Sequence, residues 1–125
     1  MMRFNRFSLN RPMVMAGVAA LWALIVGFTL QFFALPVAFP ALHAGNGLLR
    51  GGDWVAFHQI AKDLAASIES TGWGAWELRP EGQAPSGIAA ALYALTGVHA
   101  PWVMLPVNAV LFGLAASQLL ILLKR

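Results

Sequence analysis

The 125-residue sequence contains no cysteine, a single tyrosine and few charged residues. The absence of cysteine excludes disulfide bonds, thiolate metal sites and a cysteine nucleophile. Charged residues make up only 10% of the chain and hydrophobic residues make up 59%. Soluble domains carry about 25% charged residues. This composition is therefore typical of an integral membrane protein.

Acidic residues are missing from both ends of the chain. All five lie between positions 36 and 99, where three basic residues accompany them and leave a net charge of −2. The other five basic residues are Arg3, Arg6, Arg11, Lys124 and Arg125. The sequence pI is near 10.2, but the basic residues form no stripe with interleaved aromatic side chains. We therefore expect no nucleic-acid partner.

Two apolar runs, residues 13–35 and 100–123, contain no charge over 23 and 24 residues. About 20 helical residues cross the ~30 Å hydrocarbon core of a bilayer. The first run exceeds the roughly 7–15 residues of a signal-peptide core, so we interpret it as an uncleaved anchor. Basic ends face the cytoplasm. The sequence predicts an all-α, two-pass transmembrane hairpin in the bacterial inner membrane, with 1–12 and 124–125 cytoplasmic and 36–99 periplasmic.

Small residues recur every four positions in both runs, a spacing that lets helices in lipid approach closely. They are Ala19, Ala23 and Gly27 in the first run and Ala109, Gly113 and Ser117 in the second. We expect the two helices to pack through these residues, although alanine-rich spans also produce the pattern by chance. Pro12 is expected in the first helical turn, and Pro106 should kink the second helix or mark its start.

The periplasmic segment contains two further helical patterns. Residues 53–70 place apolar side chains on one face, which predicts an amphipathic helix that stops at Gly72 and lies in the plane of the membrane interface. Pro85 opens a short apolar helix over 85–96 that cannot cross the bilayer. That helix is interfacial, re-entrant or packed on protein. The glycine- and proline-containing stretches 36–52 and 71–84 predict loops.

Four tryptophans lie in or at the border of this segment: Trp54, Trp73, Trp76 and Trp102. Tryptophan favours the headgroup level, where its ring is buried and its N–H remains hydrated. We expect these four residues to act as interface anchors. The segment is therefore predicted to lie against the lipid bilayer instead of forming a separate soluble domain.

Histidine, glycine and serine patterns identify no metal or nucleophile site. His43, His58 and His99 share no helical face, no paired metal-ligand motif is present, and ordinary polar histidines are the expected interpretation. No glycine-rich nucleotide loop and no serine-hydrolase motif occurs.

Asp53 is the remaining candidate for chemistry. It follows Gly51 and Gly52 and precedes the amphipathic helix, so its carboxylate is well placed to cap the free N–H groups of the first turn. Position 56 is alanine, so a full capping box is absent. The alternative is a catalytic carboxylate held at the membrane surface.

The order of elements over residues 12–123 resembles the N-terminal module of the GT-C superfamily of membrane glycosyltransferases, especially the protein-mannosyltransferase and aminoarabinose-transferase branch. The matching positions are Asp53, Phe57 and Ala61, then Pro85 and Gly87, then Leu92, Tyr93, Leu95 and Gly97, and Asn108. The resemblance implies a polyprenyl-phosphate sugar as donor and Asp53 as the base, or as part of a divalent-metal site, that activates the acceptor. Arg50 and Arg79 are placed in the same segment and are candidates to pair with the donor phosphate.

This chain departs from the family in two respects. It has two predicted spans where family members have many more, and Trp54 follows Asp53 where the family often carries a second acid. We therefore expect a module that is not catalytic alone and that works with spans supplied by other chains. The alternative is a non-catalytic two-span accessory subunit that docks on a larger membrane complex, for example an energy-transducing one. A third interpretation is a holin-like pore hairpin, but the 64-residue loop between the spans is longer than such a protein needs.

Overall fold

A computed structural model describes the backbone of residues 7–123 and the side chains of residues 11–123. Four α-helices account for most of it: α1 (Phe7–Thr29), α2 (Trp54–Thr71), α3 (Ala84–Thr96) and α4 (Met104–Leu123). Within 7–123 the only strand-like pairing is a single antiparallel bridge between His43 and Leu49. The all-α prediction is confirmed for this part of the chain. Arg3, Arg6, Lys124 and Arg125 lie outside the described residues.

Two helical stretches are long and apolar enough to cross a membrane, Arg11–Ala38 and Pro101–Leu123. The first differs from the predicted span at both ends. α1 is already helical at Phe7, so Pro12 lies in its second turn and not in the first as expected. At the other end the helix continues through Pro36 to Ala38, where the sequence predicts a loop.

The extension beyond Thr29 is a π-helical segment, Leu30–Ala38. Pro36 has no N–H to donate, and in α geometry its ring clashes with the carbonyl four residues earlier. The wider π turn pairs residues five apart, and Phe39 N–H donates to Ala34 O at 3.3 Å in this way. Pro36 therefore widens the helix instead of ending it.

The chain divides into two compact units. One is Phe28–Met104, and the helical segments on either side of it form the other. In the unit formed by these flanking segments, the buried residues of α4 are small ones: Ala109, Gly113 and Ser117. A Cβ built on Gly113 would overlap the Ala16 carbonyl oxygen and lie 3.0 Å from Ala20 Cβ.

The same pair of helices makes a second close contact nearer the other end. A Cβ built on Gly27 would lie 2.8 Å from Leu105 Cδ2. Together the two contacts show that α1 and α4 run antiparallel. Ala16 and Ala20 are the α1 partners of Gly113 and were not in the predicted set, whereas Ala19 and Ala23 are half-buried.

The Phe28–Met104 unit is built on the packing of α2 against α3. Its core consists of Ala61, Ala65, Ala90, Tyr93 and Val103. α2 is amphipathic as predicted, and α3 packs against its apolar face. Of the three alternatives for α3, the structure therefore has the helix packed on protein.

Glycine ends both helices of this unit. Gly72, with φ 96°, follows α2, and Gly97, with φ 67°, follows α3. Each donates its N–H to the carbonyl four residues earlier, Ile68 and Tyr93 respectively. The positive φ is costly for a residue with a Cβ, which is why glycine stands at both positions.

Candidate functional site

Asp53 occupies the N-cap position of α2, but its side chain does not cap the helix. The carboxylate makes no hydrogen bond to the first-turn N–H groups, while the backbone carbonyl accepts from Phe57 N–H at 2.8 Å. Residues that cap with their side chains usually have extended φ and ψ. Asp53 instead has helical values, φ −85° and ψ 0°. Its carboxylate is therefore exposed and free of the helix.

The two glycines before Asp53 set the path of the chain into α2. Gly51 has φ 104° and Gly52 has φ 62°, values that residues with a Cβ rarely adopt. The side chain of Arg50 is exposed just before them, and that of Arg79 is exposed before the 3₁₀ turn Pro80–Gly82. Among residues 11–123 no ion pair joins Asp53 to either arginine.

The described side chains do not supply a set of ligands for the divalent metal that the resemblance implies. Among the described side chains, no group of three His, Asp or Glu residues is arranged to hold a metal ion. His43 forms a hydrogen bond within its own loop, in which its Nε2 accepts the N–H of Gly47 at 3.0 Å.

A second cluster, which the sequence analysis did not identify, joins α2 to α3. It consists of His58 and Glu69 on α2, Tyr93 on α3 and His99 just after α3. His58 Nδ1 lies 2.9 Å from the Tyr93 hydroxyl, and the two rings are edge-on with centroids 5.7 Å apart. The ring of His99 lies 5.8 Å from that of Tyr93, and its Nε2 is 2.8 Å from Glu69 Oε1.

Burial shifts the pKa of two members of this cluster, Tyr93 and His58. Tyr93 is only 2% exposed, and burial raises the pKa of its phenol to about 12, so the hydroxyl remains protonated. Burial also lowers the pKa of His58 below its ordinary value, with smaller electrostatic contributions from Lys62 and His99. Burial therefore favours the neutral form of His58.

The sequence could hardly predict this cluster, because His58 and Tyr93 are 35 residues apart and no local pattern connects them. One local signal existed. His58 and Glu69 are eleven residues apart, which is close to three helical turns, so both lie on one face of α2. The position of that face against Tyr93 and His99 is decided by the packing of α3.

The four predicted interface anchors differ in their surroundings. Trp54 and Trp73 are 56% and 51% exposed. Trp76 donates its Nε1–H to the Gly87 carbonyl at 3.0 Å. Trp102 packs against the core cluster, with its ring centroid 6.4 Å from that of Phe32.

Comparison with known proteins gives no relative. No family profile, curated protein or solved structure matches this chain.

Proposed function

We propose that this chain is a membrane module of the kind that opens GT-C glycosyltransferases, working with spans supplied by other chains and using a polyprenyl-phosphate sugar. One observation carries the proposal. The Asp53 carboxylate is exposed at the start of a packed helix and is not used to cap that helix. A carboxylate with no structural partner is available for chemistry.

The proposed reaction is a displacement at the anomeric carbon of the sugar. Asp53 takes the proton of an acceptor hydroxyl while the acceptor oxygen bonds to that carbon. The bond from carbon to phosphate oxygen breaks, and its electron pair leaves with the polyprenyl phosphate. Asp53 acts as a general base, a role that needs an ionised carboxylate within hydrogen-bond reach of the hydroxyl.

The arginines complete the proposed site. Arg50 and Arg79 belong to the same compact unit as Asp53, and both guanidinium groups are exposed. Arginine pairs with phosphate oxygens through two parallel N–H donors. We assign both to the leaving phosphate of the donor.

The proposed location is the bacterial inner membrane, with both termini cytoplasmic and residues 36–99 in the periplasm. Two apolar helices of sufficient length support the membrane assignment. The acidic residues between the spans and the basic residues near the termini support the orientation. The exposed rings of Trp54 and Trp73 suit contact with lipid headgroups.

Substitution of Asp53 tests the catalytic role. Sugar transfer from a labelled polyprenyl-phosphate donor is measured in native membranes that contain wild type, Asp53→Asn or Asp53→Ala. We expect the rate of sugar transfer to fall by about 100-fold or more in both variants, since this is the usual contribution of a general base. Asp63→Asn is the matched control, because Asp63 is an exposed acid on the same helix that only bonds Gln59.

Stability separates this role from a structural one. Since the carboxylate does not cap α2, both Asp53 variants should lose only the interaction of its charge with the helix dipole, about 0.3–1 kcal/mol. They should fold and insert normally. Full sugar transfer by well-folded Asp53→Asn would refute the catalytic role. If Asp53→Ala fails to fold while Asp53→Asn folds normally, the capping interpretation is restored.

A non-catalytic accessory subunit is the second candidate. The observation that favours it is the outer surface of α4, where Leu111, Phe112 and Leu119 are 55–59% exposed opposite the small residues that face α1. Such a surface suits either lipid or the helix of a partner. Purification in mild detergent distinguishes the two functions. An accessory subunit is recovered in fixed ratio with unrelated membrane proteins, and substitution of Asp53 does not change that recovery.

A further inference from the structure

Two side-chain contacts join α3 to the first half of α2. The buried hydroxyl of Tyr93 lies 2.9 Å from His58 Nδ1, within hydrogen-bond distance. One residue earlier on α2, the carbonyl of Phe57 accepts the hydroxyl of the buried Ser86 at 3.1 Å. From this arrangement we infer that the Tyr93 hydroxyl donates to Nδ1 of a neutral His58, and that the pair forms an acid-sensitive clamp between α2 and α3, which loosens when His58 takes up a proton.

Protonation changes what His58 can do for Tyr93. A neutral imidazole offers one nitrogen as an acceptor, whereas an imidazolium carries N–H donors at both nitrogens. The protonated ring can no longer accept the Tyr93 O–H. The bond must reverse, and the phenol proton is left without its acceptor inside the contact between the helices, which is costly for a buried polar group.

The charges around His58 increase this cost. Lys62 lies one turn further along α2, and His99, after α3, also acts on His58 electrostatically. The acid of the cluster, Glu69, already pairs with His99. Of the two 3₁₀ turns that pack against α2, Pro80–Gly82 contributes Glu81, which is exposed. No acid within 11–123 is paired with His58.

The direction of the pH effect follows from the pKa of His58. Burial, then Lys62, then His99 lower this pKa below 6.5 in the closed structure. An opened, solvated imidazole therefore binds its proton at higher pH than the closed one. The contact has its full stability above about pH 6.5 and loses stability as the pH falls below that value, because the open state then binds more protons. The Tyr93 phenol stays protonated throughout, since burial raises its pKa to about 12.

Hydrogen exchange of the whole chain in lipid nanodiscs tests the clamp. Amide protection in α2 and α3 is compared at about pH 7.5 and about pH 5, after correction for the intrinsic pH dependence of exchange. We expect wild type to lose protection several-fold at the lower pH. His58→Gln should keep it, because the Gln carbonyl accepts the Tyr93 O–H and takes up no proton. His43→Gln, a matched control outside this contact, should behave as wild type.

The single tyrosine of the chain gives a second measurement on wild type alone. With ¹³C at tyrosine Cζ, one NMR signal reports on Tyr93, and we expect it to shift with a midpoint below pH 6.5. A Tyr93 signal that stays constant over this range overturns the proposal, as does an equal loss of protection in His58→Gln and wild type. The wild-type titration decides the question even where His58→Gln does not fold.

Discussion

At the scale of single residues, the unit Phe28–Met104 depends on a few positions where side-chain size or protonation is tightly constrained. Gly87 is the clearest. It lies at the start of α3, where the chain segment ending at Leu78 passes so closely that a Cβ would overlap the Leu78 carbonyl oxygen. The Gly87 carbonyl also accepts the Trp76 indole N–H. Both contacts hold the segment before Arg79 onto α3.

Gly87→Ala should destabilise this unit by about 1–3 kcal/mol, the usual cost of forcing extra atoms into a packed site. The backbone carbonyl of Leu78 cannot rotate away as a side chain would, so the segment itself must move. Chemical denaturation in mild detergent, followed through tryptophan fluorescence, gives the measurement.

Gly74→Ala is the matched control for this substitution. No atom lies within 4 Å of a Cβ built on Gly74, and we expect little change in its unfolding midpoint. Equal midpoints for Gly87→Ala and wild type would show that the segment does not lie against α3 as described.

At the scale of elements, α1 and α4 pack through small residues while their large apolar side chains remain exposed. Trp22 and Phe112, for example, are 65% and 55% exposed. In lipid such helices associate by close packing instead of by the hydrophobic effect, because lipid tails are as apolar as the side chains. The contact of Gly113 with Ala16 and Ala20 therefore carries much of the association.

Gly113→Ala should weaken the association of α1 with α4, because its Cβ would overlap the Ala16 carbonyl. Disulfide formation measures this well in a chain without native cysteine. A pair made by Gly27→Cys and Leu105→Cys, two positions that are in contact, should cross-link on oxidation, and adding Gly113→Ala should reduce the yield several-fold.

Gly17→Ala provides the comparison on the neighbouring face of α1. A Cβ on Gly17 has no atom within 4 Å, so the cross-linking yield should remain that of the parent pair. If Gly113→Ala and Gly17→Ala give the same yield, the small residues of α4 do not carry the contact.

At the scale of the whole molecule, charge and length act together. The chain has two stretches of membrane-spanning length, and every acidic residue lies between them. Short basic segments resist translocation, which favours a topology with the acidic unit exported. The proposed chemistry depends on this, because the Asp53 carboxylate must face the side on which the lipid-linked sugar is presented.

A cysteine at an exposed position of this unit should report its location. In intact cells, Gly74→Cys should react with a membrane-impermeant maleimide, since position 74 is exposed and its surroundings are open. A cysteine placed at residue 3, in the basic segment, should react only after the membrane is permeabilised. The reverse pattern would remove the basis of the proposed function.

The local properties of the chain were determined by the sequence alone. Apolar length and the distribution of charge indicate the two spanning stretches, and Gly72 marks the end of α2 because a positive φ follows the helix there. The helical periodicity of the apolar residues in 53–70 identified α2 as amphipathic. These features depend on residues a few positions apart, and such patterns can be read along the chain.

The contacts between distant residues were decided only by the tertiary structure. α3 covers the apolar face of α2, so the two helices share one core. The same packing brought His58 to Tyr93 across 35 residues, and the backbone angles of Asp53 left its carboxylate uncapped. Helical periodicity specifies which face is apolar, but what covers that face depends on how the intervening chain folds back, and no local pattern records it.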